Sequence, residues 1–411
     1  MSAFRRTVSV KPTVSVKMSD VNDTLALDAR HQVDSNPLEQ AGVVALVAMA
    51  GALQFSIALA QILLTIALIC WVALIIVRRE RFEAPGFFWP LVAYGAMTLV
   101  SAAFSPDPRT SLIDCKQLTL FLIVPLTFGL ATGERGHTLT TVVLSCAAAS
   151  AAFGIIQYGI LHYDQLGQRP QGTLGHYMTY SGLLMIVIAL ALSRLLFGKR
   201  DRTWAALVLP ALGVAVALTF SRNTAVGVCV AAGLLFSLKD FRLFALLPIV
   251  AAIFIAAAPG QIAKRYASMF NLSDPTVRDR VAMLHIGERM IAARPLTGVG
   301  PNMVERLYPR YRGPDAVKPV NPHLHNNPLQ IAAERGLPAL ALWLWFLVAL
   351  VRELWKRFSD GRQRELGAAA LATIAALLAA GFFEYNFGDS EVLMLFLLIV
   401  TLPAAADRSA A

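Results

Sequence analysis

The sequence predicts an all-α integral membrane protein with about twelve transmembrane helices and one large helical loop between the ninth and tenth. Three observations predict this. Of the 411 residues, 56% are hydrophobic and only 15% are charged, where soluble domains carry about 25% charge. Apolar runs recur along the chain near the length that crosses the hydrocarbon core, roughly 20 residues for a helix. One long polar interval, residues 259–326, interrupts them.

The first 40 residues are polar and hold no apolar segment of the signal-peptide kind. They read as an unstructured tail. The runs 41–57, 58–77, 87–104, 112–131, 138–160, 178–197, 203–219, 223–238 and 242–258 then give spans one to nine. Runs 337–351, 365–383 and 391–405 give spans ten to twelve, and residues 406–411 close the chain. Basic residues alternate between the connecting loops. Arg78, Arg79 and Arg81, then Arg135, then Arg194, Lys199, Arg200 and Arg202, then Lys239 and Arg242, then the cluster from Arg352 to Arg364, fall on one side. By the positive-inside rule that side is cytoplasmic, both termini lie there, and the polar interval faces out. The net charge of +10 therefore reads as topology and anionic-lipid contact rather than nucleic-acid binding. The cysteines Cys70, Cys115, Cys146 and Cys229 lie in apolar runs at unrelated spacings, which is neither a disulfide framework nor a metal pattern.

The polar interval holds ten Lys or Arg against five Asp or Glu. Long loops are exempt from the topology rule, so this excess fits an anion-binding surface or a solvated face beside anionic lipid. Within it, Ser273-Asp274-Pro275 looks like a helix cap, and residues 276–293 read as an amphipathic helix ended by Arg294-Pro295 and Gly298. On that helix Arg278, Ala282, His285 and Arg289 share one face. Arg280, Leu284, Gly287 and Ile291 share a mostly apolar one. A guanidinium on an apolar face either snorkels or reaches a polar cavity that holds an anion.

The interval closes on His325-Asn326-Asn327-Pro328, followed by a segment ending at Gly336 and Pro338. Asn326 or Asn327 suits a helix N-cap and Pro328 the first turn; Gly336 and Pro338 would stop the helix before the next span. A histidine just before a helix start, at the lipid edge, is placed to be a neutral base, because the positive helix end disfavours imidazolium. The same helix end favours anions. Arg222, in Phe220-Ser221-Arg222-Asn223-Thr224, is the only charge between Thr203 and Leu238. Charge at membrane depth points to function, although an interfacial arginine can also snorkel. Together with Arg280 it has the chemistry to grip a diphosphate through bidentate guanidinium contacts. Arg169 to His176, rich in glycine, is either a plain turn or a ligand approach. Lys116, Arg289 and Asn326 are further candidates for substrate contact. Glu384 and Asp389 lie near an outer helix end. Among metal and nucleotide patterns, only His323-x-His325 is present, alone and weak; there is no P-loop. The expectation is no cofactor and no metal, and a substrate that arrives activated.

These residues resemble those of the O-antigen ligase and O-antigen polymerase superfamily of bacterial envelopes. His325-Asn326, nine residues and Gly336 match its ligase motif. Arg280 through Arg294-Pro295-Leu296-Thr297-Gly298-Val299-Gly300-Pro301 looks like its loop signature, and Thr219-Phe220-Ser221-Arg222 resembles its intramembrane arginine motif. Ala339 and Leu284 stand where the family more often has other residues. The resemblance implies a metal-independent, inverting glycosyltransferase of the inner membrane, with its active site in a periplasmic catalytic loop, residues 259–336. It implies an undecaprenyl-diphosphate-linked O-antigen donor and, for a ligase, a sugar hydroxyl of lipid A-core oligosaccharide as acceptor. His325 would be catalytic, and Arg222 and Arg280 would hold the diphosphate. A polymerase or a protein O-oligosaccharyltransferase of the same superfamily stands as an alternative. A lipid-linked glycan transporter is the alternative from another class.

Overall fold

A computed structural model describes residues 36–246, 248, 260, 275–314 and 316–408. The described residues are helical and contain no strand. Apolar composition with strong helix formers leaves the backbone no partner in lipid except itself, so each run closes its own hydrogen bonds as a helix. In chain order these are α1 Pro37–Ala52, α2 Ile57–Arg78, α3 Phe88–Ala103 and α4 Pro108–Leu130, whose middle tightens to a 3-10 stretch at Cys115–Leu122. There follow α5 Arg135–Gly159, α6 Tyr177–Phe197, α7 Arg202–Leu218 and α8 Arg222–Lys239. The polar interval supplies α9 Pro275–Ala293 and α10 Val304–Tyr311. Last come α11 Asn327–Ser359, α12 Arg364–Gly381 and α13 Ser390–Ala406.

Among the described residues, α2, α4, α5, α6, α11 and α12 are long and apolar enough to cross a membrane; α1, α3, α7 and α13 are shorter apolar helices. Helices coincide with the remaining apolar runs of the sequence, but most of the ninth, 242–258, lies outside the described residues. So do Ser273 and Asp274, the expected cap of α9.

The core runs through α6, α12 and α13, which are the most enclosed helices. Every residue of α13 from Val392 to Ala406 is buried. Around this core α8 packs on α6 and α12, α7 on α5 and α6, α1 on α2, and α3 on α11. Arg194, expected in a cytoplasmic loop, is instead a buried residue of α6. Its side chain is 2% exposed and pairs with Glu365 of α12 at 2.9 Å, with Thr140 and Thr141 of α5 completing its bonds. The pairing holds because an unpartnered guanidinium would be costly at that depth.

Two other local expectations are corrected. The buried face of α9 is Asp279, Ala282, Met283, Ile286, Gly287 and Met290, while Leu284 is exposed. Arg280 borders that face and does not sit on an apolar stripe with Leu284. Gly336 does interrupt the helix it was expected to end, with φ 83° and ψ 167°, but the helix resumes at once as the rest of α11. The break survives because the connecting backbone finds other partners. Val299 N–H donates to Ala333 O and Gly300 N–H to Glu334 O, both at 2.8 Å, and Leu337 N–H donates to Pro295 O at 2.8 Å. A side chain at Gly336 would meet Leu296 O at 2.3 Å, so only glycine permits this pairing.

Candidate active site

His325 occupies the bend that feeds α11. Its φ of 50° is left-handed, a conformation that costs a non-glycine residue free energy and is found where the surroundings enforce it. Asn326 is the N-cap, and its side chain accepts from Leu329 N–H at 2.9 Å. Its amide donates to Phe382 O at 3.1 Å. One residue on, the buried Asn327 donates to Asn386 Oδ1 at 2.6 Å and accepts from Phe387 N–H at 3.1 Å. Gly381 lets Asn327 approach, since a Cβ there would lie 2.2 Å from Asn327 Nδ2. These bonds staple the turn between α12 and α13 to the start of α11.

The staple sets Glu384 against His325. His325 Nδ1 lies 2.9 Å from both Glu384 Oε1 and Oε2. The carboxylate is 8% exposed and the imidazole 13%. A carboxylate can only accept, so Nδ1 carries a proton, and in the neutral ring Nε2 keeps a free lone pair. Glu384 also faces His323, whose Nε2 is 3.5 Å from Oε1, and Arg280, whose Nη2 is 3.6 Å from Oε2. Tyr385 N–H donates to Oε1 at 3.1 Å. Arg280 Nη1 donates to His325 O at 3.3 Å. Burial lowers the Arg280 pKa from its ordinary value while Glu384 opposes the shift; a guanidinium stays ionised regardless. Burial likewise pushes the His323 imidazole below the usual histidine range, against the pull of Glu384.

Beside this pair opens a cavity of about 170 Å³, lined among others by His176, Asn223, Thr224, His323, Glu384 and Asp389. Its walls are helix starts. His176 is the N-cap of α6, Asp389 is the N-cap of α13, and Asn223 and Thr224 lie in the first turn of α8. Thr224 Oγ1 donates to Ser181 Oγ at 2.9 Å and pins α8 to α6. Thr179 Oγ1 donates to Asp389 Oδ2 at 2.5 Å and meets His176 Nδ1 at 3.2 Å, tying α6 to α13. Helix N-termini turn their unpaired N–H groups and partial positive charge toward whatever fills the space. The helix ends thus bring partial positive charge to a cavity whose lining also holds two carboxylates, Glu384 and Asp389.

The residues singled out along the chain divide accordingly. The fold brings His325, Asn326 and Arg280 together, with His176 on the cavity wall. Arg222 opens α8, immediately before Asn223 and Thr224. Arg169 stacks on the Tyr177 ring, its Cζ 4.2 Å from the centroid, and donates to Leu166 O. Arg289 points elsewhere and donates to Tyr311 O at 2.7 Å. Lys116 is exposed on the 3-10 stretch of α4 and does not line the cavity.

Two features escaped the linear reading. The first is the partnership of Glu384 with His325. Glu384 is the only charge between Glu365 and Asp389, and that isolation was its signal. The second is a cluster of metal-ligating groups: His323, His325 and Glu384 place three donor atoms within 4.8 Å of one another, where the sequence carried only the weak His-x-His.

No curated protein matches the chain. A family model described as O-antigen ligase matches residues 205–344, a range that runs from α7 to the middle of α11 and includes Arg222, Arg280 and His325. Over that segment, about a third of its length, the chain is therefore similar to the O-antigen ligase family.

Proposed function

We propose that this protein is an O-antigen ligase, a metal-independent, inverting glycosyltransferase. In this reading it moves O-antigen glycan from undecaprenyl diphosphate to a sugar hydroxyl of lipid A-core oligosaccharide. The observation that carries the reading is the His325–Glu384 pair, 2.9 Å apart, beside a cavity bounded by helix N-termini and near Arg280. A base and an anion site side by side are what hydroxyl attack with loss of a diphosphate requires.

His325 Nε2 takes the proton of the acceptor hydroxyl as that oxygen bonds to the anomeric carbon. The bond from that carbon to the diphosphate oxygen breaks, and the configuration inverts. Glu384 holds the ring and stabilises the imidazolium as it forms, the role of the carboxylate behind any catalytic histidine. Charge grows on the departing diphosphate, where Arg280, Arg222 and the N–H groups of α6, α8 and α13 stabilise it. The donor's own diphosphate linkage supplies the driving force. The chain would sit in the bacterial inner membrane, with both termini cytoplasmic and the cavity facing the periplasm.

A reconstitution tests the assignment within the superfamily. Purified protein is given a defined lipid-linked donor with either lipid A-core or a second donor molecule, and the product mass is read. The ligase reading expects the sum of glycan and lipid A-core. Extension of one lipid-linked glycan by another would make the protein a polymerase. Movement of donor across a vesicle membrane with no covalent product would make it a transporter.

A further inference from the structure

Transfer as described leaves His323 without a task, yet its imidazole lies with that of His325 around one carboxylate oxygen. We propose that His323 Nε2, His325 Nδ1 and Glu384 Oε1 form a reversible binding site for one divalent ion of the zinc type, and that occupation of this site switches the transferase off.

The geometry supports the first half. Zinc holds nitrogen and carboxylate ligands at about 2.0–2.1 Å in a tetrahedron, so its ligand atoms stand about 3.3 Å apart. Glu384 Oε1 is 2.9 Å from His325 Nδ1 and 3.5 Å from His323 Nε2. All three atoms lie within 4.8 Å of one another. Two edges of the tetrahedron are therefore close to their final length, the third is no longer than 4.8 Å, and the two ring centroids stand 4.0 Å apart. His323 and Glu384 both line the cavity, so a water or a substrate oxygen can take the fourth position. Glu384 Oε1 is near both imidazoles, while Oε2 lies 2.9 Å from His325 Nδ1 and 3.6 Å from Arg280 Nη2. Two imidazoles and one carboxylate favour zinc, cobalt, nickel or copper over magnesium or calcium, which prefer oxygen ligands. The Arg280 guanidinium opposes a second cation nearby, which makes the ion exchangeable and not a permanent part of the fold.

The second half rests on the proposed role of His325 as base. In the metal-free ring Nδ1 holds the proton, donated to Glu384, and Nε2 holds the free lone pair. Coordination uses the Nδ1 lone pair, so the ring's single proton moves to Nε2 and no net proton is released from the ring. Nε2 then donates where it must accept, and the acceptor hydroxyl keeps its proton.

The test uses the full-length protein, purified and stripped of metal, with Co²⁺ as a spectroscopic probe and Zn²⁺ as its competitor. The expected result is one ion per chain, the visible absorption of tetrahedral Co²⁺, and its loss when Zn²⁺ is added. Zn²⁺ should inhibit glycan transfer over the same concentration range, and EDTA should restore it. His323→Ala and His323→Gln should each weaken both binding and inhibition, by roughly the 10–100-fold that changes around a metal site produce. Binding that is undiminished in both variants would overturn the site and assign the ion elsewhere, for instance to the exposed Cys229. Absence of stoichiometric binding in a protein whose transfer is lost in His325→Ala would overturn the site while leaving the base in place. Binding that depends on His323 but leaves the transfer rate unchanged would support the site and overturn His325 Nε2 as the base.

Discussion

His325 and Phe220 adopt left-handed backbone, with φ of 50° and 56°, and each lies in a turn that carries a motif of the site. Such residues cost about 1–3 kcal/mol each, and the bonds around His325 show what enforces the strain: Asn326, Asn327 and Arg280 hold its flanks. The side chain is thereby aimed, and Glu384 sets its tautomer. Glu384→Gln removes the charge that stabilises the imidazolium, so kcat should fall by roughly 10²–10⁴-fold with the donor KM little changed. A fall in folded protein with kcat preserved would make Glu384 a structural residue only. Arg280→Lys and Arg222→Lys should each raise the donor KM and leave the acceptor KM nearly unchanged, because a lysine cannot reproduce the planar two-pronged contact. Full recovery of donor binding in both variants, in steady-state kinetics, would remove them from the diphosphate site. The placement of His325 just ahead of a helix cap and a proline was legible in the sequence. Its partner was not, because 59 residues separate it from Glu384 and local pattern carries no information about which helix ends meet.

The element that organises the site is the first two and a half turns of α11, from Asn327 to the break at Gly336. It lies between the 295–301 segment and the turn after α12, and hydrogen bonds to both fix its place. Gly336→Ala would need a left-handed φ of 83° and would put a methyl group 2.3 Å from Leu296 O. It should destabilise the protein by at least about 1–3 kcal/mol, read as a lower melting temperature in detergent. Gly213→Ala, inside α7 with open space around its Cβ, should be neutral or stabilise by about 0.5–1 kcal/mol. Equal effects from the two substitutions would contradict the account of the break. The sequence announced an N-cap at Asn326 and a stop at Gly336 by residue type alone. It did not announce that the helix resumes, because resumption depends on carbonyls and N–H groups supplied by a distant segment. The face of α9 was misread for a related reason: its burial is set by Leu329 and the α10 segment packed against it, not by its own periodicity.

Across the whole molecule the helices deliver their N-termini to one place. The starts of α6, α8 and α13 border the cavity, α11 starts two residues after His325, and the turn closing α12 brings Glu384. Composition and run length made the helices legible from the sequence, since lipid leaves an apolar run no other regular structure. Their mutual packing was not legible: nothing local tells Arg194 that Glu365 lies 2.9 Å away. In the proposed reaction the helix N-termini at the cavity and Arg280 beside Glu384 do for a leaving diphosphate what a magnesium ion does elsewhere. Transfer should therefore proceed without added ATP and survive excess EDTA, and EDTA should raise the rate of any preparation that carries zinc. The most direct test is the initial rate of glycan transfer from a defined lipid-linked donor to lipid A-core in excess EDTA, with wild type and His325→Ala compared at equal folded concentration. The account predicts that the wild type keeps its rate and that the variant, inserted and with an unchanged melting temperature, loses about 10²–10⁴-fold. A variant as fast as the wild type, or a wild type that stops in EDTA and recovers only when Mg²⁺ or Mn²⁺ is returned, would contradict it.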